Sequence, residues 1–287
     1  LFPEYPNLLL KNSDGIVGHL GMIPYHFNAP CKSANCAFLA SLIVKNELRS
    51  HGAGVMLARE AEKYFDILYT TGFSPPTQPV LKLCNWQSAR DMTRWVCGCE
   101  KVLASADDGS AVLISRFGDE WGQYWHKTGK YFGVTIDRSA NYLNWRFCDN
   151  PKIKYHIFGP DPEGVGGYIV LRFEKGNEFS GIRIVDLVAT DRMAETLLKF
   201  SVNFAKGQKS DFIDFFSYPD KYEEALQNSG FYRYNPDIRQ DPPIFILPTD
   251  RKKLVLNFSY KIINGGSGIV PEDWFVVKSD GDRDRAY

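Results

Sequence analysis

The chain has 287 residues, room for two cores of ordinary size, and its 44% hydrophobic and 24% charged residues are the balance of a globular protein. Its 34 basic side chains equal its 34 acidic ones. That excludes the basic excess by which nucleic-acid and anionic-membrane binders neutralise phosphates, while leaving room for a local pocket for one phosphorylated ligand.

In chain order, Gly15–Phe27 (GIVGHLGMIPYHF) predicts two strands interrupted near Gly21–Pro24. Cys36–Val44 (CAFLASLIV) is a nearly continuous apolar run, as in a strand buried on both faces. A polar turn follows, and then a helix over Val55–Phe65, with Val55, Ala58, Ala61 and Phe65 on one face. Asp66–Thr71 predicts a strand and Val80–Trp86 a short helical or irregular return. Ala104–Ser110 (ASADDGS) is the best linker candidate. Beyond it, Tyr168–Phe173 and Ile182–Val188 predict strands, Ala194–Ala205 a helix, Asp211–Phe216 a strand and Lys221–Asn228 a helix, so the second half repeats the order of the first. The stretch Trp274–Tyr287 is strongly charged.

Six cysteines, at 31, 36, 84, 97, 99 and 148, form no C-x-x-C pair, and no histidine pair stands at metal spacing, so reduced thiols and no metal are expected. No apolar run reaches the roughly 18 to 20 residues that span a bilayer, and no signal peptide is read, so a cytoplasmic location without membrane association is expected.

Arg49–Gly54 reads RSHGAG between a buried strand and an amphipathic helix. Glycines let backbone approach a diphosphate closely, and a helix start offers unpaired N–H groups and the positive end of a dipole. A tight strand-to-helix turn is the plainer alternative. The stretch resembles the coenzyme A loop of the GNAT superfamily, whose pattern is Arg or Gln, two residues, Gly, one residue, then Gly or Ala. That resemblance implies an α/β (α+β) fold of tandem GNAT-like domains, each a mixed central sheet flanked by helices, the second degenerate. The expected division is 1–103, binding acyl-CoA, and 104–287, binding the acceptor without a loop of its own, since Val188 is followed by the glycine-free ATDRMAETLLKF.

By the same resemblance Leu42, Ile43 and Val44 would bond the pantetheine arm and Thr71, with Thr70 and Gly72, would line its other side. Arg49, Ser50, His51, Gly52, Ala53, Gly54 and Val55 would hold the diphosphate. Where many members carry a tyrosine acid, this chain has Leu81. The co-substrate implied is acetyl-CoA or a short hydroxyacyl-CoA.

Three further stretches, GHLG at 18–21, YLNWRFCDNPKIKY at 142–155 and KSDGDRDR at 278–285, resemble two-domain GNAT proteins of surface-polysaccharide clusters. Those acylate the amine of a dTDP- or UDP-linked amino-deoxy sugar. The resemblance implies acceptor contacts from Tyr25, Trp145, Arg146, Tyr155 and Arg285. Trp145 as a core residue and Arg146 bonding locally, to Asp149 for instance, remain equal alternatives. An ammonium acceptor must lose a proton before it attacks, so Asp282, Asp284 and His19 are the candidate bases. A solvated terminus and a structural histidine are the competing readings. A different amine acceptor (an amino acid, polyamine or protein lysine) and a non-catalytic acyl-CoA-binding module are the alternative functions.

Overall fold

The computed structural model describes residues 7–28, 34–99, 110–235, 242–246, 249–250, 255–264, 268–282 and 284. It divides into two compact units, each discontinuous in sequence. The first comprises Leu1–Asp91, Phe132–Asp137 and Val255–Trp274; the second comprises Met92–Tyr131, Arg138–Leu254 and Phe275–Tyr287. The division expected after residue 103 is therefore moved to Met92, and each unit takes segments from elsewhere in the chain. Of the expected linker, only Ser110 lies among the described residues.

Strands and helices are numbered along the whole chain. The first unit is a six-stranded sheet of β1 (Asn7–Asn12), β2 (Gly15–His26), β3 (Asn35–Val44), β4 (Ile67–Thr71), β5 (Gln87–Ser88) and the distant β15 (Phe258–Ile262). Their order is β1-β2-β3-β4-β15-β5, with β3 and β4 parallel and the other neighbours antiparallel. The two strands expected across 15–27 are one. Beyond Gly21, β2 has a partner on one side only among the described residues, where a sheet tolerates Pro24. Helices α1 (Ala53–Ala61) and α2 (Thr77–Leu83) cover one face of the sheet, and Leu20, Leu39, Leu57, Leu68 and Leu81 share its core. Alternation along the strands sends Phe38 and Tyr69 to the other face, where they join Phe27, Phe258, Tyr260 and Trp274 in a cluster with neighbouring ring centroids 4.9 to 5.8 Å apart.

The second unit contains β6 (Thr93–Gly98), β7 (Val112–Leu113), β8 (His156–Gly159), β9 (Gly167–Lys175), β10 (Ser180–Ala189), β11 (Phe212–Tyr218) and β12 (Tyr232–Arg233). Their order is β12-β6-β11-β10-β9-β8-β7, and β16 (Val276–Val277) pairs with β11. A small separate hairpin joins β13 (Phe245–Ile246) to β14 (Thr249–Asp250). Helices α3 (Asp119–Thr128), α4 (Ala140–Leu143), α5 (Asp191–Gly207) and α6 (Glu223–Asn228) complete the unit. Along α5, Ala194, Leu197, Leu198, Ser201, Val202 and Ala205 recur at three- and four-residue steps and are all buried.

The order β8-β9-β10-β11-β6-β12 repeats β1-β2-β3-β4-β15-β5. In both, the third and fourth strands are parallel, and a helix (α5 or α1) joins them along the chain. The fifth strand in that order comes from far along the chain in the first unit and opens the second. β15 reaches the first unit from beyond the second-half elements, and β6, next along the chain after β5, belongs to the second.

Candidate functional site

In the first unit the parallel pair opens. β3 and β4 are in register only from Cys36↔Ile67 to Phe38↔Tyr69, and the Thr70 hydroxyl then donates to the Leu39 carbonyl at 3.0 Å. Farther along, among the described residues, β3 continues on β2 alone and β4 on β15 alone. The departure coincides with a bulge. Gly21 faces Ala40 and His19 faces Ile43, so Ser41 and Leu42 together oppose Leu20. Ser41 has φ 55°, a left-handed conformation rare for a non-glycine residue. His19 braces this point, one ring nitrogen 3.2 Å from the Ser41 carbonyl and the other 3.1 Å from Asn7 Oδ1. Both nitrogens are thus engaged, which favours the structural role for His19. Past the bulge Leu42 is half-buried, Ile43 is 59% exposed and Val44 is buried. Thr71 is buried opposite Phe258. The turn after it is held by Asn257, which accepts from the Phe73 N–H at 2.9 Å and donates to the Phe73 carbonyl at 3.1 Å. Asn257 lies so far along the chain that no local pattern pointed to it.

The loop leaving β3 is a 3₁₀ turn, Asn46–His51, closed by Gly52 at φ 80°. Arg49 Nε donates to the Val44 carbonyl at 3.2 Å and so ties the loop to the end of β3. The Ser50 hydroxyl lies 3.5 Å from His51 Nδ1. α1 starts at Ala53, two residues before the expected Val55, and ends at Ala61, ahead of Phe65. No side chain caps its start. The first intrahelical acceptor is the Gly52 carbonyl, bonded by Met56 N–H, so the amides of Ala53, Gly54 and Val55 precede any helical partner. A Cβ at Gly52 would meet nothing within 4 Å, whereas one at Gly54 would lie 3.2 Å from Val80. The two glycines therefore serve different ends: Gly52 turns the chain and leaves open space, and Gly54 lets α1 approach α2. Leu81 is buried in the core and carries no acid.

The matching place in the second unit is filled. The β10–β11 ladder stops at Ile184↔Phe215, and β16 then pairs with β11 at Ser217↔Val277 and Tyr218↔Val276. Residues 278–280 follow as a buried turn. Asp280 pairs with Arg138 at 2.6 Å; Arg138 lies 3.5 Å from Asp186, which accepts from the Tyr168 hydroxyl at 3.0 Å. Burial, with Asp186 nearby, pushes the Asp280 carboxyl up to about 6 against the pull of Arg138. Lys278 is pushed down to about 8, mainly by burial and next by Arg183. Asp214 stays below its usual range: burial raises it, but Arg183 and Arg94 outweigh that. α5 begins directly after Thr190 with Asp191 in its first turn, a charge that repels phosphate.

The expected acceptor residues are partly brought together. A π-helical turn, Asn144–Cys148, continues α4. Asn144 bonds both the N–H and the carbonyl of Phe117 at 2.9 Å. Arg146 is buried; it donates to the Tyr155 hydroxyl at 3.0 Å and pairs with Asp284 at 2.8 Å, while Asp149 pairs with Arg116. Asp284 is fully buried, accepts from Tyr155 at 2.7 Å and lies 2.9 Å from Arg172. That is a structural ion network, so the solvated-terminus reading of Asp284 is replaced by burial. Asp282 is half-buried. Trp145 is half-buried, its ring 6.1 Å from that of Tyr142. Tyr25 is buried in the first unit opposite Cys36. Arg285, like Arg283 and Cys31, lies outside the described residues. The five described cysteines are free, four of them buried. Among the described residues, no group of three His, Cys, Asp or Glu side chains is placed to hold a metal, and no helix is long and apolar enough to cross a membrane.

No protein-family model matches the sequence, and no curated protein matches it either. The fold does match solved structures. A GCN5-related N-acetyltransferase from Anabaena variabilis superposes with a TM-score of 0.61 at 13% identity over 90% of this chain and 63% of the other. A conserved Enterococcus faecalis protein described as a probable N-acyltransferase gives 0.59 at 12% over 87% and 59%. A GCN5-related N-acetyltransferase from Kribbella flavida gives 0.56 at 12% over 90% and 60%. The chain thus spans about three-fifths of the length of these neighbours, with which it shares the mixed α/β GNAT fold.

Proposed function

We propose that the chain transfers an acyl group from an acyl-CoA thioester to an amine. The observation that carries this reading is the opened β3–β4 pair beside an uncapped helix start turned by Gly52. Bound acyl-CoA would supply an activated thioester. The amides of Ala53, Gly54 and Val55 would bind its diphosphate, aided by the helix dipole. The bulge at Ser41–Leu42 turns β3 away from β4, and the strand edge so freed would bond the pantetheine amides. Thr70 and Thr71 form the opposite wall. The fit is favourable, since a Cβ placed at Gly52 would meet only open space.

For the acceptor we propose the amine of a dTDP- or UDP-linked amino-deoxy sugar, in O-antigen or capsule biosynthesis in the cytoplasm. What supports this is the GHLG, YLNWRF and KSDGDRD stretches: the first pairs with the bulged half of β3, and the other two meet in the Arg146–Asp284 network. Asp282 is the remaining candidate for taking the ammonium proton. The test is release of CoA thiol on mixing the protein with acetyl-CoA and a dTDP- or UDP-amino sugar. Release only with the nucleotide sugar supports the full reading, and release with a polyamine or peptide lysine instead moves the acceptor class. One observation favours a non-catalytic acyl-CoA-binding module: Leu81 is buried, and both His19 and Asp284 are engaged elsewhere. Tight CoA binding without thiol release from any amine would support that module.

A further inference from the structure

The second unit contains a cavity of about 500 Å³, the size of a small-molecule site. Its wall runs from Leu113–Ser115 to the 147–157 segment, and two features of that lining bear on its ligand. The first is charge. Lys152, Lys154 and His156 line the cavity and no carboxylate does. Asp149, flanked in sequence by lining residues, is paired with Arg116, and Asp284, which bonds Tyr155, is paired with Arg146 and Arg172. Neither lysine forms an ion pair among the described residues. In a chain whose charges sum to zero, a concave surface whose charged lining residues are both lysines stands out as an anion site.

The second feature is shape. Phe147 and Tyr155 meet edge-on, centroids 5.1 Å apart, and isoleucines 114, 153 and 157 complete an apolar wall. The Tyr155 hydroxyl is fixed by Asp284 at 2.7 Å, which pre-sets its ring. Asn150 Oδ1 accepts from the N–H groups of Lys152 and Ile153 at 3.1 and 2.9 Å, holding the lysine-bearing loop in one conformation. Burial, with Lys154 next, lowers the His156 pKa, so the two lysines carry the charge of the lining.

We propose that this cavity binds a phosphate-bearing organic molecule of nucleotide size, Lys152 and Lys154 gathering its phosphates and the Phe147–Tyr155 wall receiving its ring. That this molecule is the acceptor of the transfer rests on the acyl-CoA reading above; the anion site itself does not. CoA also carries phosphates and is the competing source of the same chemistry.

The test is calorimetry with uridine diphosphate, inorganic pyrophosphate and CoA as separate probes, on the intact chain and on a Lys152→Glu, Lys154→Glu double variant. Both lysines are exposed, so the variant should keep its thermal midpoint. Uridine diphosphate is expected to bind the natural sequence, more tightly than pyrophosphate and less tightly as salt rises, and to lose at least about tenfold in the variant while CoA binding is unchanged. Equal affinity of the two proteins for uridine diphosphate, no binding of it to the natural sequence, or a parallel loss of CoA binding in the variant would each overturn the proposal. A Gly52→Asp variant separates the two readings. If it still binds CoA normally, the acyl-CoA assignment fails, while retained uridine diphosphate binding leaves the anion site standing.

Discussion

Gly52 is the residue on which the cofactor assignment turns. At φ 80°, with open space where a side chain would go, it tolerates Asp sterically at the modest cost of left-handed backbone. The added carboxylate would nonetheless face the diphosphate. Gly52→Asp is expected to lower CoA affinity at least about a hundredfold with little change in unfolding midpoint, read by calorimetry and urea denaturation. Unchanged affinity would remove the loop from the site. The two tail aspartates should part company. Asp284→Asn leaves Arg146 and Arg172 facing a neutral amide in a buried site and should cost about 3 to 5 kcal/mol of stability in urea. Asp282→Asn, if Asp282 is the base, should lower kcat/KM for the amine by about 10²- to 10⁴-fold while CoA binding is kept. Wild-type turnover in Asp282→Asn would strike it from the mechanism. Lys278 sets a pH dependence. Its pKa falls from 10.5 in the unfolded chain to about 8 in the fold, so its contribution to stability is whole above 10.5 and is lost as pH falls through 8. The loss is on the order of 3 kcal/mol. Lys278→Met lacks it, so the stability of the variant relative to the natural protein should be more favourable at pH 7 than at pH 10. The same difference at both values would count against a buried, depressed lysine.

At the scale of elements, the RSHGAG stretch does two mechanical things that its six letters do not separate. Gly52 ends the 3₁₀ turn, and Gly54 sits where α1 touches α2. Gly54→Val would force the helices apart, because its first side-chain atom already lies 3.2 Å from Val80 and two methyls follow. The expected cost is about 1 to 3 kcal/mol, with weaker CoA binding as the α1 amides shift. Lost stability with intact CoA affinity would show that the amides do not hold the diphosphate. The bulge in β3 is an element-level device of the same kind. It recurs in the second unit, where the β9–β10 register shifts between Ile184 and Asp186, yet there β16 lies along the opening. The repeat thus keeps the opened strand pair in both units and leaves it vacant of strand in the first alone, among the described residues. One CoA per chain is the consequence of the proposed function.

For the whole molecule, the fifth strands carry a prediction about folding. A fragment ending at residue 104 keeps β1 to β5 but lacks β15, and the complementary fragment lacks β6, which lies between β11 and β12. Each would expose the edges of an interrupted sheet. Neither fragment expressed alone should unfold cooperatively, and co-expression of the two should restore a cooperative transition in circular dichroism. Independent folding of either fragment would mean that its missing fifth strand is dispensable.

Periodicity and local chemistry were enough for most elements, because buried strands and amphipathic helices write their burial into neighbouring residues. The apolar run 36–44, the α5 face and the RSHGAG turn were legible for that reason. The strand-strand-helix-strand-helix repeat was legible too. The fifth strand of each sheet was not, because Phe258–Ile262 and Thr93–Gly98 carry no mark of which sheet completes them. Nor was the fate of the charged tail. KSDGD carries three charges in five residues and leaves a solvated terminus open as a reading, yet Lys278, Ser279 and Asp280 are buried, because Arg138 and the Asp214 cluster, both far away in sequence, receive them. His19 and Arg146 have the chemistry of a base and a phosphate ligand, and only the tertiary structure shows their partners, the Ser41 carbonyl for one and Asp284 for the other. A residue's type sets what it can bond; long-range packing decides which bond it has already made.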